Sequence, residues 1–465
     1  MKMNKVHFIG IGGIGMSALA HILLSRGIKV SGSDLRPNSI TERLGQKSAT
    51  IYKGHSVDNL SQDIDLVVVS TCIKPGNPEL VKARQMNLKV ISRGALLKRL
   101  MEEASLSVAV TGTHGKTTTS GLIAHVAHGC GLEPTSVIGG ELESIGGNAK
   151  NGKGELFIAE LDESDGFFRN VSCTHGVITN IEKEHMEHYG SMQNLLGAFR
   201  EFIGRIDRNG TFFYNGEDYH LLDMALRSGV KKVDFGIGAA HKVSCRNYIC
   251  AKNIEFDLYL DGRKSVRIKS PLIGRHNLMN MLAAISVCLE LGITPEDIAG
   301  SVESFRGVGR RFDRIGKVGN IEIIEDYAHH PTELSAVIRA AKDYGTGRVV
   351  SIFQPHRHSR TRDLADEFIK CFADSDILIL TDVYSADEDP IEGSDIHDVY
   401  GKIDRSCFEI LEFVEMNDIP EYVSGIVKEK DVVLVLGAGD IRNISGRLLD
   451  QIRKREEYNG STDAG

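Results

Sequence analysis

Short apolar runs that break into glycine-rich turns, and then into stretches of helical spacing, recur in this chain and leave few folds open to it. Val6-His7-Phe8-Ile9 runs into Gly10-Ile11-Gly12-Gly13-Ile14-Gly15, and the spacing predicts a helix over 16–25. Ser107-Val108-Ala109-Val110-Thr111 opens a second unit, with a helix over 117–128 closed by Gly129 and Gly131. Further strands are expected over 29–33, 66–70, 89–91, 155–159, 175–179 and 211–214, with strand-like alternation through 241–270 and a helix over 277–291. A third unit begins near Asp313, with strands over 321–324, 348–353, 377–381 and 432–436. Apolar runs alternating with helical periodicity predict an α/β fold built on parallel, doubly wound sheets. A chain of 465 residues is too long for one core, and about two to four domains are expected. The boundaries fall at 1–105, 106–312 and 313–453, and the polar residues 454–465 are expected to be disordered.

The formal charge of −8 argues against a nucleic-acid partner, because phosphate backbones favour basic surfaces. It leaves a single nucleotide open, where a few placed groups suffice. The eight cysteines show no paired metal spacing, Cys245 and Cys250 included, and read as reduced thiols. Glycines interrupt the apolar N-terminus before it could serve as a signal. No run approaches the roughly 18 apolar residues of a membrane span. A soluble, cytoplasmic protein is expected.

Gly10, Gly12 and Gly15 form GxGxxG between a strand and a helix, with Gly13 inside the turn and Asp34 ending the next strand. Missing Cβ atoms let backbone approach a diphosphate, and the helix start favours its charge. The motif fits a dinucleotide or a UDP-sugar equally, and a tight turn without ligand is the bland alternative. Thr111-Gly112-Thr113-His114-Gly115-Lys116-Thr117-Thr118 is more informative. Backbone N–H groups of such a loop cradle phosphates, Lys116 would neutralise β/γ charge and the Thr117 hydroxyl would face Mg²⁺. The usual G-x-x-x-x-G-K-[ST] spacing is shortened here, with two residues between Gly112 and Gly115.

That shortened loop resembles the loop of the Mur ligases, and other segments resemble the same family in order. They are Ala159-Glu160-Leu161-Asp162-Glu163-Ser164-Asp165, Thr179-Asn180-Ile181-Glu182-Lys183-Glu184-His185-Met186, Gly274-Arg275-His276-Asn277-Leu278-Met279-Asn280, Arg310-Arg311-Phe312-Asp313, and Asp326-Tyr327-Ala328-His329-His330-Pro331-Thr332-Glu333. Phe353-Gln354-Pro355-His356-Arg357, with Arg360 beyond it, completes the set. The form GIGGIGMS over 10–17 looks like the members that add L-alanine. Leu161 and Ser92-Arg93 depart from the common pattern, which bears on packing and sugar contacts.

The resemblance implies Rossmann-like N- and C-terminal domains around a central P-loop ATPase-like domain. It also implies ligation of L-alanine to the lactyl carboxylate of UDP-N-acetylmuramic acid, with ATP and Mg²⁺. Gly10, Gly12, Gly13, Gly15, Asp34 and Ser70 would then hold the UDP-sugar. Gly112, Thr113, His114, Gly115, Lys116, Thr117, Thr118, Asn277, Asn280, Arg311 and Asp326 would hold ATP. Thr117, Glu160 and His185 would bind metal, with Glu163 an alternative to Glu160. Lys116, Glu160, His185, Arg357 and Arg360 would serve the chemistry. Asn277 capping its helix, and Arg357 and Arg360 as a solvated basic turn, are the plainer readings. The rivals are an NAD-dependent dehydrogenase, a P-loop switch, and a ligase adding a ready-made tripeptide to the same sugar nucleotide. The expected assembly is a monomer or homodimer.

Overall fold

The computed structural model describes residues 3–386 and 388–462. The chain forms two compact units: Met1–Arg246, Asp257–Ile268 and Met279–Phe305 make the first, and Asn247–Phe256, Lys269–Leu278 and Arg306–Gly465 the second.

The first unit opens on strands β1 (Lys5–Ile9), β2 (Lys29–Asp34), β3 (Thr50–Lys53), β4 (Leu66–Val69) and β5 (Val90–Ser92), in the order β3-β2-β1-β4-β5. Every pairing in this sheet is parallel. Successive side chains of a strand face opposite ways, so Val6 and Phe8 pack into one core while Ile9 and Val67 pack into another. The helix Ile14–Ser25 leaves β1 directly from the glycine turn.

A ten-stranded sheet follows, containing β6 (Leu106–Thr111), β7 (Thr135–Leu142), β8 (Gly147–Lys150), β9 (Leu156–Glu160), β10 (Cys173–Ile178), β11 (Ile206–Asn215) and β12 (Lys231–Ile237). The strands β13 (Val243–Ile249), β14 (Ile254–Leu260) and β15 (Arg263–Ser270) account for the alternation at 241–270. The order is β15-β14-β13-β12-β11-β10-β6-β9-β7-β8. Because β6 lies between β10 and β9, with both pairings parallel, the carboxyl ends of all three point the same way. Chain connections part in opposite directions beside β6, where open α/β sheets bind ligands.

In the second unit, β16 (Asp313–Val318), β17 (Ile321–Asp326), β18 (Val349–Phe353), β19 (Ile377–Leu380), β20 (Ile410–Phe413) and β21 (Val432–Leu436) lie in the order β16-β17-β21-β18-β19-β20. Only the edge pair β16–β17 is antiparallel. Val432, Leu434 and Leu436 enter one core and Val433 and Val435 the other, as a sheet covered on both faces requires.

The strands that sequence periodicity does not mark are β3, β7, β8, β12, β16 and β20: β3, β8, β16 and β20 are short edge strands, largely half-buried or exposed, whereas β7 and β12 lie inside the ten-stranded sheet. The tail expected to be disordered from 454 instead continues the helix Asn443–Thr462, and residues 463–465 lie outside the described residues. Ile444, Leu448 and Ile452 recur every fourth residue on its buried face, and the Arg455 guanidinium donates to the carbonyls of Ser424 and Val427. Among the described residues no helix is long and apolar enough to cross a membrane.

Candidate active site

The phosphate-type loop leaves β6 at Thr111 and enters the helix Lys116–Gly129 through Gly115, whose φ of +79° is left-handed. Glycine adopts that conformation without a Cβ clash, and a Cβ there would also strike the Asn280 side chain. The loop is braced from the end of β10. Asn180 Oδ1 accepts from the His114 N–H at 2.9 Å, while Asn180 Nδ2 and Thr179 Oγ1 donate to the His114 carbonyl at 3.0 and 2.6 Å. The Thr113 N–H donates to the Asn180 carbonyl at 3.0 Å.

Lys116 Nζ donates to the carbonyls of Gly112 and Thr113 at 2.6 and 2.9 Å, and lies 2.8 Å from Glu163 Oε2. Burial works against its charge, but Glu163, with Asp162 and Glu160 nearby, holds the ammonium above its ordinary range. Glu163 is buried, and its Oε1 lies 3.5 Å from His185 Nε2. The other ring nitrogen of His185 is 3.6 Å from Glu187. Burial again opposes charge, yet Glu163 and Glu187 raise the imidazole to about 9. His185 itself has φ +56°, the left-handed start of the short helix Met186–Tyr189.

Glu160 ends β9 and faces a different set of donors. Thr117 Oγ1 donates to its Oε1 at 3.0 Å, Ser120 Oγ to its Oε2 at 3.3 Å, and the Gly139 N–H to its Oε2 at 2.8 Å. The two acids of the motif thus divide the work: Glu160 meets Thr117, and Glu163 bridges Lys116 and His185. Of the two acids held as alternatives for the metal, Glu163 is the one whose contact with His185 the structure shows. Sequence alone assigns no such role to the bracing pair Thr179 and Asn180, or to Ser120 and Gly139. Their signal was weak: the first two sit inside the His185 segment, and the others show nothing until the strands pair.

At the first glycine turn, the N–H groups of Gly10 and Ile11 donate to the Ser33 carbonyl at 2.9 and 3.0 Å. Asp34 Oδ2 accepts from the Gly12 N–H at 2.9 Å, so the acid that ends β2 clips the turn. A Cβ on Gly10 would lie 3.2 Å from that of Ser70, which places Ser70 against the same turn. Gly13 starts the helix as its N-cap.

In the second unit, candidate groups gather at the carboxyl ends of the sheet. Asp326, ending β17, accepts N–H bonds from Phe312 and Ala328, each at 2.7 Å, and burial lifts its carboxyl to about 6 against the pull of Arg311. Arg311 Nη1 lies 3.6 Å from Glu333. Beyond β18, Arg357 has φ +75° and its Nε lies 2.8 Å from Glu388. Arg360 is buried and donates to the His356 carbonyl at 2.8 Å. His356 stacks on Tyr384 with ring centroids 5.4 Å apart. Asn277 Nδ2 donates to the Ile273 carbonyl at 2.9 Å, one turn back.

Parallel sheets, a diphosphate-type turn, and a phosphate loop facing a lysine–carboxylate–histidine cluster define a P-loop nucleotide enzyme. Residues 5–105, 110–288 and 310–439 match the sequence models described as Mur ligase family, catalytic domain; Mur ligase middle domain; and Mur ligase, glutamate ligase domain. The chain belongs to the Mur ligase family, whose members are ATP-dependent amide-bond-forming ligases. It is 40% identical to the UDP-N-acetylmuramate–L-alanine ligase of Geotalea daltonii, covering 97% of this chain and 99% of that one. The enzyme of the same name from Pelotomaculum thermopropionicum is 40% identical over 98% of this chain and 99% of its own length. The crystal structure of the UDP-N-acetylmuramate–alanine ligase from Thermotoga maritima superposes with a TM-score of 0.82 at 31% identity, covering 98% of this chain and 99% of that one. A murein peptide ligase from Psychrobacter arcticus, at 21% identity and a TM-score of 0.73 over 97% and 98% of the two chains, shares the fold.

Proposed function

We propose that this protein joins L-alanine to the lactyl carboxylate of UDP-N-acetylmuramic acid, using ATP, in peptidoglycan synthesis. The observation that carries the reading is full-length likeness to ligases of that name. The Lys116–Glu163–His185 and Thr117–Glu160 contacts supply a place for the chemistry. A carboxylate resists attack by an amine until it is phosphorylated. The lactyl carboxylate therefore takes the γ-phosphoryl group, giving an acyl phosphate and ADP. The amine of L-alanine attacks that carbonyl, and the tetrahedral intermediate expels phosphate.

The protein's part is to bring anions together and neutralise them. Residues 1–105 would hold the UDP-sugar through Gly10, Gly12, Gly13, Gly15, Asp34 and Ser70. Residues 106–312 would hold ATP through residues 112–118, with Asn277, Asn280 and Arg311. Residues 313–453 would close on ATP and alanine through Asp326, Arg357 and Arg360. Lys116 would exchange its loop carbonyls for β- and γ-phosphate oxygens.

The donor set fits Mg²⁺, because Thr117 and Glu160 present a hydroxyl and a carboxylate as hard oxygen ligands 3.0 Å apart. When bound, Mg²⁺ screens the repulsion between carboxylate and phosphate. His185, kept an imidazolium by Glu163 and Glu187, fits a ligand role only after losing its proton. Until then it is a cation beside Glu163. A ligase that draws on ATP and a UDP-sugar would act in the cytoplasm, and the reading carries with it a monomer or homodimer.

Phosphate release from ATP, measured with UDP-N-acetylmuramic acid and each of L-alanine, glycine, L-serine and the tripeptide, tests the reading. Release should need both the sugar nucleotide and L-alanine. Preference for the tripeptide, or release indifferent to amino acids, would overturn it.

A further inference from the structure

Arg93 opens the helix Arg93–Glu102 at the end of β5, and its guanidinium reaches across to the first glycine turn. Its Nη1 lies only 2.7 Å, and its Cδ 3.0 Å, from where a Cβ on Gly15 would stand. The third glycine of the turn therefore makes room for a cation. A guanidinium over the first turn of the helix Ile14–Ser25 is electrostatically unfavourable by itself, and it becomes favourable once an anion lies between them. On its other side Arg93 Nη2 lies 3.3 Å from Asp162 Oδ2, in the acidic segment that also carries Glu160 and Glu163. The Asp162 side chain is 44% exposed, so its carboxylate can return to water when the guanidinium leaves. Gly94 keeps the helix start close, since a Cβ there would lie 2.5 Å from the Phe167 ring, two residues beyond that acidic segment.

We propose that Arg93 is a further substrate-binding residue, whose guanidinium exchanges Asp162 for the diphosphate of the sugar nucleotide. The exchange rests on the reading that the first glycine turn holds a UDP-sugar.

Calorimetric binding of UDP-N-acetylmuramic acid, with a non-hydrolysable ATP analogue saturating, tests the exchange in the full chain. Arg93→Ala should weaken the sugar nucleotide roughly 10- to 100-fold, the worth of a forked charged contact. Arg93→Lys, which keeps charge without the fork, should fall between the two. The affinity for the ATP analogue should stay within about twofold, and Asp162→Asn should tighten the sugar nucleotide by removing the competing anion. UDP-N-acetylglucosamine, with the same diphosphate and no lactyl carboxylate, should show the same loss in Arg93→Ala.

Unchanged sugar-nucleotide affinity in Arg93→Ala, or an equal loss of the ATP analogue, would overturn the proposal. Weaker or unchanged binding by Asp162→Asn would overturn the exchange. A loss confined to UDP-N-acetylmuramic acid, or no wild-type affinity for UDP-N-acetylglucosamine, would overturn the diphosphate assignment. If the wild-type protein bound neither UDP-sugar, the reading of the first turn would fall together with it.

Discussion

At the scale of single residues, Lys116 and Glu163 show how one buried charge depends on another. Lys116→Ala removes the ammonium that faces the buried Glu163 carboxylate and leaves His185 as its neighbour. The expected outcome is loss of phosphate release, with calorimetric affinity for UDP-N-acetylmuramic acid nearly unchanged. Loss of sugar-nucleotide affinity with retained turnover would mean the two glycine loops have exchanged roles. His356 offers a pH signature. Burial, then Arg360 and Arg357, lower its imidazole from 6.5 to about 4. The unfolded chain therefore takes a proton at a pH where the folded chain refuses it. Its stabilising effect is complete above 6.5 and fades as pH falls towards 4, by at most about 1.4 kcal/mol per unit. Denaturant unfolding of His356→Gln should accordingly show a flatter acid limb between those values. Superimposable curves for the two proteins would assign the acid sensitivity elsewhere.

Between residues and the whole lie the strand ends, and there the pairing of β7 with β9 creates something no single segment contains. Their parallel register sets the Gly139 N–H beside the Glu160 carboxylate, and a Cβ on Gly139 would collide with that carboxylate. Gly139→Ala should push Glu160 off Thr117 while leaving the strand in place, since Gly139 does not have positive φ. Misplacing a reacting group by about 1 Å can cost roughly 100-fold, and kcat should fall by that order with thermal stability close to wild type. Full activity in this variant would show that Glu160 is not held by the β7 backbone during turnover. The elements themselves were largely legible. Apolar runs marked β1, β6, β18 and β21, and the glycine turns marked where helices begin. The half-buried edge strands carried no such pattern, and the final helix was hidden because its charged residues resemble a disordered tail until Arg455 finds the carbonyls of Ser424 and Val427.

For the molecule as a whole, the residues proposed for the chemistry are divided between the two compact units. Lys116 and Glu160 belong to the first and Arg357 and Arg360 to the second. Domain closure is the usual way such enzymes assemble a site, so small-angle scattering should show a smaller radius of gyration with UDP-N-acetylmuramic acid and a non-hydrolysable ATP analogue together. Identical profiles with and without both ligands would count against closure. By itself the sequence determined the α/β class, the two glycine turns and the short list of acids, histidines and arginines, because periodicity and glycine spacing are local properties. Only the tertiary structure decided that Glu163 rather than Glu160 meets His185, that Gly139 braces Glu160, and that Arg93 spans from Gly15 to Asp162. Those choices depend on which strand ends lie side by side. Strand order is set by packing between segments tens of residues apart, a balance that no local pattern records.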